Sequence, residues 1–485
     1  MDSSAGTETG HERRWALLAL TSVGAFMTPL DGSIVAVALP KMGPLLHLSF
    51  AASLWVQAAY LLSIAILLIP LGRLADRHGR IRFYLGGIAL FTAASLAAAL
   101  SRNGTSLILS RILQGAGGAL LSATSAAIVT SVFPPRERGR ALGLNVMAVY
   151  LGLSVGPPLG GFLVDHAGWP WIFLVNLPIG LLVFLRGWWL LPRVQPAPRP
   201  TPAQRGLDLP GALLLAGLLL GLLVPLTFAA EWGWRSPRVG VCLGLAALAF
   251  AAFLARESRA PAPLVDLGLL RRNRLFAAAN LAALLNYMAL YAIAILTAAY
   301  LQLVQGLPAK TTGWIMLGQP LTQAGLSPLA GRLSDRLGSR LLSTTGMGFV
   351  ALGMALLGTA GQDSSLPFIV MALALVGVGM AAFSAPNTSA ILGSVDRAQL
   401  SVASAFQGTM RVTGQALSVA ILGGIAASHL GPGGWRLLLR AGGSPLAAEA
   451  FARGYRTAMI TGAALALLGL WASSTRGTSG APAGR

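Results

Sequence analysis

The sequence predicts an all-α integral membrane protein of 14 transmembrane helices, two six-helix bundles with two inserted linker helices between them. Three observations predict it. Of 485 residues, 55% are hydrophobic and only 10% are charged, too little polar surface for a water-soluble chain of this length. The apolar residues fall in blocks of about 20, long enough as helices to cross a hydrocarbon core. A charged connector, GRLADRHGRIR at 72–82, returns as GRLSDRLGSR at 331–340, 259 positions later. Backbone in lipid must satisfy its own hydrogen bonds, so the blocks are helices, and the alternating pattern of a membrane barrel is absent.

In chain order, the first six spans are placed at roughly 15–39, 51–71, 81–101, 104–128, 140–163 and 170–191. The first follows a polar dozen residues with no small-residue cleavage site close behind it, so it is expected to be retained rather than removed as a signal peptide. The Pro/Arg connector PRVQPAPRPTPAQRG cannot be helical. Two spans follow near 208–229 and 236–255, read as a lipid-facing insertion without chemistry of its own. Six more lie at roughly 275–303, 311–330, 340–360, 366–390, 402–427 and 453–474. The expected units are therefore an N-terminal bundle over 15–191, an inserted pair over 208–255 and a C-terminal bundle over 275–474.

The net charge is +20, with 35 Lys and Arg against 15 Asp and Glu. Connectors on one side, with both termini, hold about 23 of the cations, and the other side holds about 9, which places both termini in the cytoplasm. The charge therefore sets topology, and no nucleic-acid partner is expected. The lone cysteine, Cys242, allows neither a disulfide framework nor a thiol metal cluster. No phosphate-cradling G-x-x-x-x-G-K-[ST] loop and no H-E-x-x-H motif occurs, and the five His are scattered. Direct ATP use, metal sites, cofactors and enzymatic catalysis are not expected.

Both copies of the charged connector join the second and third spans of a six-span group. A repeated half points to two parallel units related by an axis along the membrane normal, with a substrate site between them. Such a protein is expected to rock rather than to form a channel. Within the copies, Gly72 and Gly331 are expected to let helix ends approach closely. Asp76 is expected to pair with Arg73, Arg77 or Arg80 near Gly79. Asp335 is expected to pair with Arg332, Arg336 or Arg340. Both acids can also face a helix N-terminus.

Asp31 is the one acid placed well inside a span. An ionisable group in hydrocarbon is costly and is by default functional. A carboxylic acid held in low dielectric suits a group that loads and releases a proton near neutrality. A permanent structural ion pair is the alternative. Arg111 is its natural partner: the two lie ~12 Å and ~10 Å from the same membrane face at 1.5 Å per residue. Neither has a counterpart in the second half, where the shifted positions hold Leu290 and Val370. Gly152, Gly156 and Gly160 share one helix face, spaced for close crossing, and Pro157 and Pro158 are expected to bend that span. Gln114, Asn145, Asn286, Tyr287, Gln319, Gln323 and Arg411 are polar groups within spans, fit either to line a cavity or to join helices.

The connector pattern G-x-L-a-D-r-x-G-r, carried by Gly72, Leu74, Asp76, Arg77, Gly79 and Arg80, resembles the loop signature of the major facilitator superfamily. More narrowly, the chain resembles the fourteen-span drug:proton antiporter branch. The stretches LDGSIVAVALP, WVQAAYLL, RILQGAGGA, GLSVGPPLGG, WPWIFLVNLPIG, YLQLVQG and RVTGQA carry that likeness, with Pro170 where the branch usually has arginine. The most specific is the span 5 motif G-x-x-x-G-P-x-x-G-G, here Gly152, Gly156, Pro157, Gly160 and Gly161. The resemblance implies proton-coupled antiport that exports small amphipathic drugs or antibiotics, with proton-coupled export or uptake of one metabolite as the alternative. It implies a latch role for the acid of the 72–82 loop in the outward-facing state. Some dication exporters of the branch carry an added acid in span 10. None stands in TTGWIMLGQPLTQAGLSPLA, so monocations or neutral lipophiles are expected. A monomer in a bacterial cytoplasmic (inner) membrane is the expected setting.

Overall fold

The computed structural model describes residues 3–134, 137–190, 208–260, 263–396, 399–431, 434–439 and 444–476, and is all-helical over them. The first half comprises α1 (Ser3–Leu45), α2 (Phe50–His78), α3 (Arg80–Ala99), α4 (Gly104–Val132), α5 (Arg138–His166), α6 (Trp171–Leu174) and α7 (Asn176–Leu190). An inserted hairpin follows, α8 (Leu209–Trp232) and α9 (Pro237–Glu257). The second half comprises α10 (Leu267–Arg272), α11 (Arg274–Leu290), α12 (Ala292–Leu303), α13 (Ala309–Met316), α14 (Gly318–Leu337), α15 (Ser339–Leu357), α16 (Leu366–Gly393), α17 (Leu400–Leu430), α18 (Gly434–Leu439) and α19 (Pro445–Ser474). The Pro/Arg connector lies outside the described residues, as does Arg440.

Helix starts follow local chemistry. Asn103 Oδ1 accepts the Ser106 N–H at 2.8 Å ahead of α4, and Ser49 Oγ accepts the Ala52 N–H at 3.1 Å ahead of α2. Asp208 caps α8 just before Pro210. Among the described residues, 13 stretches are long and apolar enough to cross a membrane. The fourteenth expected span, near 311–330, is carried by α13 and α14, which Leu317 separates.

Three expected spans are each in two pieces, with distinct causes. Pro178 and Pro320 lack the N–H that would bond the carbonyl four residues back, and their rings press on that carbonyl. Those carbonyls belong to Leu174 and Met316, where α6 and α13 end. Between α11 and α12 there is no proline. There the Ala292 N–H donates to Ser418 Oγ of α17 at 2.9 Å, so a side chain from another helix enters the ladder.

The two halves repeat in packing. α4 lies against α2 and α3, as α16 lies against α14 and α15. Across the halves, α5 packs on α13, and its counterpart α17 packs on α2. The end of the molecule opposite the 72–82 loop is closed between the halves. There Gln302 Nε2 donates to Val37 O at 2.9 Å, and Asp165 Oδ2 accepts the Lys310 N–H at 2.7 Å in the first turn of α13. Between α17 and α19 lies α18, whose Trp435 ring is tilted on Phe50 with ring centroids 4.7 Å apart. Leu329 of α14 and Val146 of α5 are exposed. The other seam stays shut along its length, from Gly423 on Leu54 to Gly408 on Leu68.

The inserted hairpin departs from expectation. Only α9 is peripheral; α8 packs on both α2 and α17, covering the shut seam. It also carries charge chemistry at its loop end. Arg256 pairs with Asp208 at 3.1 Å, Glu257 is buried and accepts the Val265 N–H at 2.9 Å, and Arg73 of α2 donates to Pro263 O. The first arginine of the repeated connector thus reaches toward the insertion rather than toward Asp76.

Candidate functional site

Asp31 and Arg111 meet. They form an ion pair between α1 and α4 with neither side chain exposed. Asp31 Oδ1 also accepts Gln114 Nε2 at 2.7 Å and Asn176 Nδ2 at 3.1 Å. Gln114 and Asn176 both reach Ser95 Oγ of α3, at 2.8 Å and 3.4 Å. Arg111 donates Nε to Val56 O at 3.0 Å, Nη1 to Gln114 Oε1 as well as to Asp31, and Nη2 to Gln57 Oε1 at 3.4 Å. Its guanidinium lies over the Tyr60 ring, 4.2 Å from the centroid. Five elements of the first half (α1, α2, α3, α4 and α7) therefore converge on one carboxylate and one guanidinium. A buried pair is tolerated only when its other lone pairs and protons find partners, and here four acceptors surround the five N–H groups of Arg111.

Gln57, Ser95, Asn176, Tyr60 and Tyr291 were not singled out as site residues by sequence reasoning. The available signal was weak: Gln57, Tyr60 and Asn176 stand within WVQAAYLL and WPWIFLVNLPIG, as polar groups in apolar runs.

The other polar candidates separate into two sets. Gln114 belongs to the charge network. Asn145 pairs with Ser125 of α4 at 3.1 Å, and Asn286 is buried with its amide on Met380 Sδ, so these two join helices. Tyr287, Gln323 and Arg411 gather around Tyr150 of α5, whose hydroxyl lies 3.2 Å from Ser384 Oγ. That group spans the two halves, and Arg411 is exposed within it. Gln319 sits at the crossing of α14 and α16, with its carbonyl against Gly377.

The span 5 motif has two faces. Gly152, Gly156 and Gly160 pack on α1 within their own half, where a side chain at 156 would meet Ser33 and one at 160 would meet Ile34. Pro157 and Gly161 face the other half, against Gly313 and Ala309. Within this motif, contact with the other half is therefore made by Pro157 and Gly161, not by the every-fourth glycines. α5 runs unbroken through Pro157 and Pro158.

The two connectors differ. Asp76 pairs with Arg80 at 2.5 Å, and Arg80 also donates to Ala127 O near the carbonyl end of α4 at 3.1 Å. Arg77 is exposed. In the second copy, Ser339 stands where Arg80 stands in the first. Asp335 and Arg336 are exposed, and no ion pair involving Asp335 is found among the described residues. The expected pairing of Asp335 with its neighbours is thus not made. A Cβ at Gly331 would have nothing within 4 Å, so this glycine marks no close approach, and one at Gly72 would meet only Ala123 at an ordinary 3.5 Å. The glycines that the turns require are Gly79 and Gly338, with φ of 110° and 86°.

A doubled helical bundle, sealed at one end and carrying a buried charge network in one half, defines a membrane transporter. The sequence profile of the Major Facilitator Superfamily matches residues 21–309 and 279–476, and the chain belongs to that family. It is 33% identical over 421 residues to the tetracenomycin C resistance and export protein of Streptomyces glaucescens, covering 86% of this chain and 77% of that one. It is 34% identical over 414 residues to multidrug resistance protein Stp of Mycobacterium tuberculosis (85% and 76%), and 31% identical over 420 residues to riboflavin transporter RibZ of Clostridioides difficile (86% and 90%). The fold is similar to a bacterial homolog of the human lysosomal transporter Spinster in its inward-facing, unoccupied conformation. The TM-score is 0.67 at 17% identity, over 96% of this chain and 97% of that one. The protein is a multi-pass membrane transporter and not an enzyme.

Proposed function

We propose that this chain is a proton-coupled antiporter that exports small amphipathic drugs or antibiotics from the cytoplasm by alternating access. The observation that carries the reading is the wholly buried Asp31–Arg111 pair. Protonating Asp31 would leave Arg111 without its counter-ion in a site closed to solvent, so the proton changes which arrangement is stable. The names of the tetracenomycin C and multidrug resistance relatives support export as the direction. In this reading residues 15–191 and 275–474 are the moving units and 208–255 joins them. Both termini face the cytoplasm, the setting is a bacterial inner membrane, and the monomer is the working unit. Tyr150, Tyr287, Gln323 and Arg411 would face the substrate between the halves. The riboflavin relative favours a second reading, proton-coupled movement of one metabolite.

The test uses proteoliposomes with an acid interior and ethidium as probe, for the native chain and Asp31→Asn. Gradient-driven accumulation by the native chain that the substitution abolishes is the expected result. Accumulation unchanged by the substitution would remove Asp31 from the coupling path. Failure across a panel of dyes, with riboflavin moved instead, would favour the second reading.

A further inference from the structure

The charge network does not stop at the first half. Gln57 Nε2 donates to the Tyr291 hydroxyl at 2.6 Å, and Tyr291 belongs to the second half. An arginine can only donate, so the amide oxygen of Gln57 must face Arg111 and its nitrogen must face the tyrosine. The orientation of this amide is therefore set by the charge on one side and read by the hydroxyl on the other.

Three further observations mark the contact. Gln57 has no exposed surface, so its amide cannot turn to solvent. Tyr291 is the residue at which the α11–α12 ladder is interrupted by Ser418. And Tyr291 is the repeat counterpart of Gly32, 259 positions on, the neighbour of Asp31. A Cβ at Gly32 would lie 3.0 Å from the Tyr291 oxygen, so the missing side chain of one half makes room for the tyrosine of the other. Around Asp31, the charged or titratable groups are Arg111 from α4, Tyr60 from α2 and Tyr291 from the second half.

We propose that Gln57 and Tyr291 are positioning residues that transmit the state of the Asp31–Arg111 pair from the first half to the interrupted helix of the second. The inference rests on the proton-antiport reading. When Asp31 takes a proton, Arg111 turns from a neutralised carboxylate toward its remaining acceptors, of which Gln57 Oε1 is the loosest at 3.4 Å. The amide is a rigid plane, so a movement of its oxygen moves its nitrogen, and the Tyr291 bond registers it. The break at Tyr291 is where the second half bends in response.

The experiment follows conformation rather than transport, so no substrate need be known. Spin labels at Val146→Cys and Leu329→Cys, in a Cys242→Ser background, report the distance between α5 and α14 in lipid nanodiscs across a pH titration. The native chain should exchange two distance populations as pH changes, and Asp31→Asn should not. Tyr291→Phe and Gln57→Leu should each shrink the pH-driven change in the population ratio by about tenfold. Tyr455→Phe serves as control. It removes another buried hydroxyl, one bonded within the second half to Thr297 at 3.1 Å, and should respond like the native chain. If Tyr291→Phe and Gln57→Leu follow the native titration while Asp31→Asn does not respond, this inference falls and proton coupling stands. If Tyr455→Phe loses the response equally, the effect is general packing and the inference also falls. If the native chain and Asp31→Asn behave alike, Asp31 leaves the coupling path, and the inference falls with it.

Discussion

Arg111 has no exposed surface, and its donors reach Val56, Asp31, Gln114 and Gln57. Two kinds of loss can be set against each other at this position. Removing the guanidinium strands the Asp31 carboxylate, which costs about 3–5 kcal/mol for a buried pair. Removing both charges strands neither. Arg111→Ala should therefore lower the thermal unfolding midpoint sharply, and adding Asp31→Asn to it should recover part of the loss, because the two substitutions are not additive. Thermal unfolding of the purified variants in detergent measures both. A double variant less stable than Arg111→Ala alone would show that charge is not what holds the site. Asp31 was legible because a lone acid in an apolar run has few bland explanations, and Arg111 because helical rise put it at the same depth. Asn176 and Ser95 were not legible. A neutral polar group in a span reads equally as helix glue, and only the fold brings α3 and α7 to the carboxylate.

Among the helices, glycines of equal motif standing differ in consequence. A Cβ at Gly156 would lie 2.9 Å from Ser33 Cβ and 3.1 Å from Ile34 N, so α1 and α5 would have to separate. Gly331 has nothing within 4 Å, and a helical Gly→Ala change in open space stabilises by about 0.4–1 kcal/mol through the unfolded chain. Gly156→Ala should lose transport and lower the unfolding midpoint, while Gly331→Ala should leave the midpoint unchanged or raise it. Dye efflux from cells together with a melting curve separates the two. Equal damage from both would mean that the 331 position matters through something other than packing. The helix count was legible from apolar length, and the prolines behind two of the three breaks were visible as residues. Apolar length alone runs through Pro178 and Pro320, which is why those spans read as continuous. The third break was beyond the sequence, since Ser418 makes it from another helix. The repeated connector likewise announced two similar loops, but a single difference, Ser339 in place of Arg80, leaves Asp335 without the partner that Asp76 has.

In the molecule as a whole, the repeat raised the expectation of two halves but said nothing of how each seam behaves. One seam, α2 against α17, is shut along its length and covered by α8. The sequence read that helix as lipid-facing because an apolar surface looks the same against lipid as against protein. The other seam, α5 against α13 and α14, is tight at the far end. Alternating access requires the tight end to open, and its contacts are local: Gly161 on Ala309, Pro157 on Gly313, and the carboxylate of Asp165 on the first turn of α13. Tying α5 to α13 there should arrest the cycle without blocking approach from the loop end. With Asp165→Cys and Lys310→Cys in a Cys242→Ser background, a short bifunctional thiol reagent should abolish ethidium transport while leaving ethidium binding intact. A cleavable reagent should allow transport to return on reduction. Each single-cysteine variant should be insensitive. Transport that continues with the two helices tied would mean that this end does not part during the cycle, and the rocking of one half against the other would have to be abandoned.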